Sequence, residues 1–109
     1  MTGEIVILCT CSSPGEAGKI AVRLLEQRLA ACVNVVPLSR SYYWWQGAIE
    51  SSAEQLLLIK SSAALFSAVA EAVRQVHSYQ VPELLALPVL DGSSDYLNWL
   101  RSNLRPASE

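Results

Sequence analysis

Histidine is almost missing from this sequence: among 109 residues there is one, His77. Charge is also scarce. Only 17% of the residues are charged, the net charge is −2, and no basic run occurs. A nucleic-acid partner is therefore not expected, because clustered Lys and Arg on phosphates supply most of that affinity. Long apolar runs are absent. The first, Ile5 to Cys9, follows no basic region, is too short for a signal peptide and far too short to span a bilayer. The chain reads as cytoplasmic, with no membrane partner. Three cysteines are an odd count, which a reducing compartment keeps as thiols. No glycine-rich phosphate loop follows a strand, since Gly15 and Gly18 fall inside a helical pattern. No nucleophile elbow and no nucleophile–base pair is present. Glu50, Glu54, Glu83, Asp91 and Asp95 are the carboxylates on loops or strand ends, and their spacing favours no acid–base pair. Catalysis is not expected.

What is plentiful is apolar surface, at 51% hydrophobic residues. The length suits one domain, residues 1–109. A chain of this size buries roughly 65% of its unfolded surface, enough for one modest core. The apolar excess predicts that part of the surface is covered by further copies of the chain.

Glu4 to Cys11 is a short β-branched apolar run and predicts a buried strand. Ser13-Pro14-Gly15-Glu16 has the form of a capping box, with Pro14 at the first helical position. Ala17, Ile20, Ala21, Leu24, Leu25 and Leu29 then recur at helical spacing. Ala30 to Pro37 leads into a second strand, in which Pro37 requires an edge or a bulge. The strand continues through Tyr42, Tyr43, Trp44 and Trp45 to a Gln46-Gly47 turn, and Ala48 to Ser61 returns as a third strand. So long a hairpin is expected to reach another subunit. Ser61 or Ser62 is the expected cap of a second helix, with Leu65, Phe66, Val69, Val73 and Val76 on its buried stripe. Leu84 to Val89 predicts a buried fourth strand. Tyr96, Leu97, Leu100 and Leu104 predict a closing helix, capped by Ser93 or Ser94. The order β-α-β-β-α-β plus a helix predicts an α+β, ferredoxin-like sandwich: an antiparallel sheet with two helices on one face.

The residues able to carry chemistry each have two readings. His77 stands at the start of a proline-marked segment, where an imidazole serves as a proton carrier, a metal ligand or a hydrogen-bonded structural residue. Cys9 and Cys11 are two apart on a strand, so their thiols share a face. With an imidazole they suit Cu(I) or Zn(II), but cysteine is also a small core hydrophobe, and Cys9 and Cys32 both follow apolar residues. Alternation puts Tyr43 and Trp45 on one face and Tyr42 and Trp44 on the other, as interface packing or as the wall of a ligand site. Lys60 ends an apolar strand, either reaching solvent or pairing with Glu83 or an anion.

Five blocks in order carry a resemblance: Val6-Ile7-Leu8-Cys9-Thr10; Leu29 to Pro37; Tyr43-Trp44-Trp45-Gln46-Gly47; Leu57-Leu58-Ile59-Lys60; and His77 to Pro88. The chain resembles the CutA, or divalent-cation-tolerance, family over nearly its whole length. That resemblance implies a PII-like homotrimer in which strands of neighbouring subunits extend each other's sheets. It implies binding of copper or another divalent cation such as zinc, with Cys9 and His77 as the carried-over ligands. A second histidine of some members is Val76 here. Ser78 stands where proline is usual after the histidine, and Gln80 where glutamate is often found after the tyrosine. The inter-subunit cleft of the family maps onto Trp45, Lys60, Tyr79 and Glu83, a set equally suited to a small anionic metabolite. A signalling or scaffolding trimer, binding a metabolite or a protein there, is the alternative function.

Overall fold

The computed structural model of the chain describes residues 2–107. Its elements are β1 (Glu4–Cys11), α1 (Pro14–Glu26), β2 (Cys32–Trp45), β3 (Ala48–Ser62), α2 (Phe66–Val76), β4 (Leu85–Pro88) and α3 (Ser94–Ser102), with a 3-10 turn at Ala63–Leu65. The strands form one antiparallel sheet in the order β2-β3-β1-β4. This is the expected element order.

Strand alternation divides the sheet into two faces. Ile5, Ile7, Cys9 and Cys11 of β1 and Leu57 and Ile59 of β3 form one face. They meet Ala17, Ile20 and Leu24 of α1 and Val69 and Val73 of α2, and this is the core. The other face carries Val6, Leu8, Leu56, Leu58, Val36, Leu85 and Leu87, paired across the strands. None of these seven is buried. Only α3 reaches over one end of that face, where Arg101 pairs with the buried Glu4 at 2.7 Å and Tyr96 meets Cys32. Cys32 thus lies on the open face, half-buried, rather than in the core where its apolar neighbours pointed.

β1 pairs with β3 only as far as Gln55, so residues 48–54 and their β2 partners project as a two-stranded arm. The arm helps stretch the molecule to 44 × 26 × 23 Å. Pro37 sits in an edge strand, with a bulge between Leu38 and Ser41. Gln46 and Gly47 both take positive φ, 50° and 83°, the geometry of a tight primed turn.

Several local expectations change. α1 stops at Glu26, and Arg28 turns the chain at φ 56°, so Leu29 is buried from beyond the helix. Neither Ser61 nor Ser62 caps α2. β3 runs on through both, and the Ser61 hydroxyl instead donates to the Leu29 carbonyl at 2.6 Å. β4 is shorter than expected and exposed, because it is an edge strand paired with β1 alone. α3 is capped by Ser93, whose Oγ accepts the Tyr96 N–H.

Candidate functional site

α2 ends at Val76, and Pro82 ahead disfavours helix in the residue before it. His77 leaves the helix in an extended conformation with its side chain fully enclosed. Its Nε2 lies 2.7 Å from the Thr10 carbonyl oxygen, and its Nδ1 accepts the Tyr79 N–H at 3.0 Å. Since Nδ1 accepts, the ring proton sits on Nε2 and is donated to Thr10. Both imidazole nitrogens are occupied by backbone groups.

Glu16 fixes the same segment from α1. Its Oε2 accepts the Ser78 N–H at 2.6 Å and lies 3.7 Å from His77 Nδ1. Its Oε1 accepts the Ser12 N–H at 3.1 Å and the Ser12 hydroxyl at 2.9 Å. Burial opposes charge on this carboxyl, but the bonds from Ser78 and Ser12 together outweigh it and hold the group at about 2. The capping box is therefore modified. Ser13 Oγ accepts the Glu16 N–H as expected, while the Glu16 carboxylate bridges Ser12 and Ser78.

Tyr79 extends the network. Its ring tilts against His77 with centroids 4.8 Å apart, and its hydroxyl donates to Glu54 Oε2 at 2.5 Å. Burial, then the Glu54 carboxylate, push that hydroxyl well above the ordinary tyrosine range, so it stays a donor. Glu54 is only 5% exposed, and Tyr79 is the one hydrogen-bond partner of its carboxylate among the described residues.

Thr10, Glu54 and Tyr79 border a groove of about 920 Å³. The arm contributes Tyr43, Trp45 and Glu50 as one wall, and Gln80 to Glu83 form the other. Tyr43 lies opposite Glu50 in the register, and Thr10 opposite Leu56, so the groove opens on the sheet face without helices. The split of the aromatic run follows the expected alternation. Tyr43 and Trp45 are 39% exposed, Tyr42 and Trp44 73%.

Of the expected cleft residues, Trp45, Tyr79 and Glu83 come together. Lys60 does not join them within one chain. It lies farther along β3, roughly 20 Å from Glu54 at the rise of an extended strand. There its ammonium donates to the Asn34 side-chain carbonyl, with Cys32 Sγ 3.9 Å away.

The expected metal pair is close in the fold, since His77 holds the residue next to Cys9. Neither side chain, however, is presented to a metal in this arrangement. Cys9 is wholly buried with Sγ 3.9 Å from the Thr10 oxygen. Burial, then Cys11 and nearby carboxylates, push its thiol up to about 12. A thiol ligand must ionise and an imidazole ligand must offer a lone pair. Cys9 is wholly buried, and the His77 nitrogen that could offer a lone pair, Nδ1, already accepts the Tyr79 N–H. Cys9 and His77 do not fit a copper or zinc ion in this arrangement. Cys11, on the same face, is also buried and its thiol raised, chiefly by burial. Among the described residues no cluster of three His, Cys, Asp or Glu side chains is placed to hold a metal.

Glu16 and Glu54 are the residues that sequence reasoning missed as site components. Glu16 was legible only as a helix cap. Glu54 gave a weak signal, a carboxylate in phase with Leu56 and Leu58 on one strand face.

A four-stranded antiparallel sheet in this order, with two crossing helices on one face, defines a ferredoxin-like sandwich, here with an added helix. Within that class, the chain belongs to the CutA1 divalent ion tolerance family, whose family description matches residues 5–103. It is 48% identical over 101 residues to the divalent-cation tolerance protein CutA of Pectobacterium atrosepticum, covering 93% of this chain and 92% of that one. Against the CutA protein of Thermus thermophilus the identity is 47% over 100 residues, covering 92% and 97%. Among solved structures it superposes on CutA from Archaeoglobus fulgidus, described as a periplasmic divalent cation tolerance protein. The TM-score is 0.91 at 37% identity, with 94% and 99% of the chains covered. The Thermus thermophilus structure superposes equally well, at 0.91 and 46% identity, with 94% and 99% covered.

Proposed function

We propose that this chain is one subunit of a cytoplasmic homotrimer that supports tolerance of divalent cations by binding rather than by catalysis. The observation that carries the reading is the uncovered apolar sheet face from Val36 to Leu87, with the aromatic arm beside it. Seven apolar side chains on one face of a small sheet need a cover, and a further copy of the same face is the simplest one. The number three follows the family resemblance. A non-catalytic role is supported by His77, whose two nitrogens both serve the backbone. The three free thiols favour a reducing compartment.

The reading puts the working site in the groove between the arm and residues 80–83 rather than at the Cys9–His77 pair, supported by the buried Cys9 thiol and the two occupied His77 nitrogens. A small molecule held there, in the manner of a PII-like signalling trimer, is the second reading, favoured by the groove's volume and aromatic wall.

Native mass spectrometry of protein purified without chelator tests subunit number and bound metal together. Three copies are expected, and a folded monomer in dilute solution defeats the proposal. Titration of Cu(II) and Zn(II) into wild type and His77→Ala tests the site. Equal stoichiometry is expected. A selective loss in the variant, with its fold intact by circular dichroism, returns the metal to His77.

A further inference from the structure

We infer that a second groove, on the outer side of α1 and α2, docks an acidic segment of a partner protein. The segment presents an Asp or Glu carboxylate to Arg23 and an apolar side chain to Val22. This surface belongs to the helix layer, opposite the sheet face that further copies are proposed to cover, so its charges do not depend on that packing.

Three observations carry it. The first is Arg23, which lines a groove of about 520 Å³ that extends from α1 to Val76 of α2. Its Nη2 donates to Gln75 Oε1 at 2.9 Å, while its Nε is enclosed and has no hydrogen-bond partner among the described residues. An enclosed donor left unpaired is costly. A carboxylate bonds two N–H groups of one guanidinium together, which the single amide oxygen of Gln75 does not. Lys19, one turn earlier, lines the same groove, and neither cation forms an ion pair among the described residues. The second is Val22, 53% exposed at the groove on a helix that buries Ile20 and Leu24 completely. The third is Gly18, also in the lining. A glycine inside a helix costs stability relative to alanine. A Cβ at Gly18 would meet nothing within 4 Å, so no packing within the chain calls for the glycine. Its missing side chain leaves the α1 backbone open to close approach.

The same features select the kind of partner. A small metabolite takes an enclosed pocket, whereas this groove is a shallow seam on one side of two helices. An anionic membrane takes a broad basic face. Here only two cations line the groove, and the Glu26 carboxylate stands beside them. Two cations, one exposed aliphatic side chain and a bare stretch of helix match a polypeptide with an acidic residue next to an apolar one.

Selection of short random peptides, displayed on phage, against the full-length protein tests this. The survivors are synthesised and titrated by fluorescence anisotropy. Enrichment of Asp or Glu next to an aliphatic residue is expected, with binding that weakens as salt is raised. Arg23→Gln should weaken these peptides at least tenfold and leave the subunit count unchanged. Lys19→Gln, at an exposed position where folding is not at risk, should weaken them severalfold. Gly18→Ala should raise the thermal midpoint and yet weaken the peptides severalfold, a split that a merely structural glycine would not give. No acidic enrichment, or binding unchanged in Arg23→Gln or in Gly18→Ala, overturns the inference. A lower subunit count in Arg23→Gln makes the groove a contact between copies, and binding to phosphatidylserine vesicles in place of peptides makes it a membrane surface. Either result also overturns the inference.

Discussion

Replacing Glu16 by Gln is the sharpest test of how the site is held. The substitution keeps the shape and leaves one oxygen able to accept from Ser12. At the other terminus it puts an amide NH2 against the Ser78 N–H, which now donates to Glu16 Oε2 at 2.6 Å. Two donors then face each other. Hydrogen bonds to charged groups contribute about 1.5–3 kcal/mol each. The pH linkage sets a second scale. The carboxyl is lowered from 4.5 to about 2 on folding. At ~1.4 kcal/mol per pH unit that amounts to a ceiling of about 3 kcal/mol, and solvent screening of the partly exposed carboxylate reduces it to about 2.

The sign follows from the direction of the shift. A depressed carboxyl adds stability that is fully present above the unfolded value of 4.5 and is lost as pH falls toward 2. Wild type should therefore exceed Glu16→Gln by about 2 kcal/mol at pH 7. The gap should narrow between pH 4.5 and pH 2. Guanidinium unfolding at matched subunit concentration measures it, since association makes stability depend on concentration. Amide exchange at Ser78 gives a local readout and should speed up in the variant at pH 7. A gap that is absent at neutral pH, or equally large at pH 2, refutes the assignment of Glu16 as the charged tie between α1 and the His77 segment.

Two further substitutions test the frame around the site. Ser61→Ala strands the buried Leu29 carbonyl and should destabilise by about 1–3 kcal/mol in denaturant unfolding, whereas a capping role for Ser61 would appear as loss of α2 helicity instead. Leu57→Ala opens a cavity in the fully buried centre of β3 and should lose about 2–5 kcal/mol by the same assay, with a smaller loss meaning that the two helices collapse onto the gap.

The sheet and helices were legible because their signals are local. The β-branched run at Glu4–Cys11, the helical spacing from Ala17 to Leu24 and the Gln46-Gly47 turn each specify an element through nearby residues. The errors fell where a distant residue decided the outcome. Ser61 has the right chemistry for a cap, but β3 runs on through it and its hydroxyl donates to the Leu29 carbonyl instead. Leu84 to Val89 reads as a core strand, yet β4 is an exposed edge strand, and apolar composition alone does not tell an edge from a centre. The groove residues Trp45, Tyr79 and Glu83 came through a resemblance, while Glu54 and Glu16 needed the fold. Nothing local to Glu54 announces that a tyrosine from beyond α2 will reach it.

His77 is the residue on which a sequence argument places the most chemistry, and here that versatility serves structure. A neutral imidazole carries one donor and one acceptor on opposite sides of a rigid ring. It can therefore satisfy the carbonyl at the end of β1 and the amide of the segment after α2 at the same time. A carboxamide side chain has both functions too, but on the same terminus, so it cannot bridge groups on opposite sides. With Thr10 and Tyr79 fixed by one ring, the Tyr79 hydroxyl is carried to Glu54, and the buried carboxylate is held at the groove edge. The bonds that make His77 a poor metal ligand are the same ones that build the groove. Any account that assigns both jobs to this ring must break the Tyr79 or the Thr10 bond, and with it the position of Glu54.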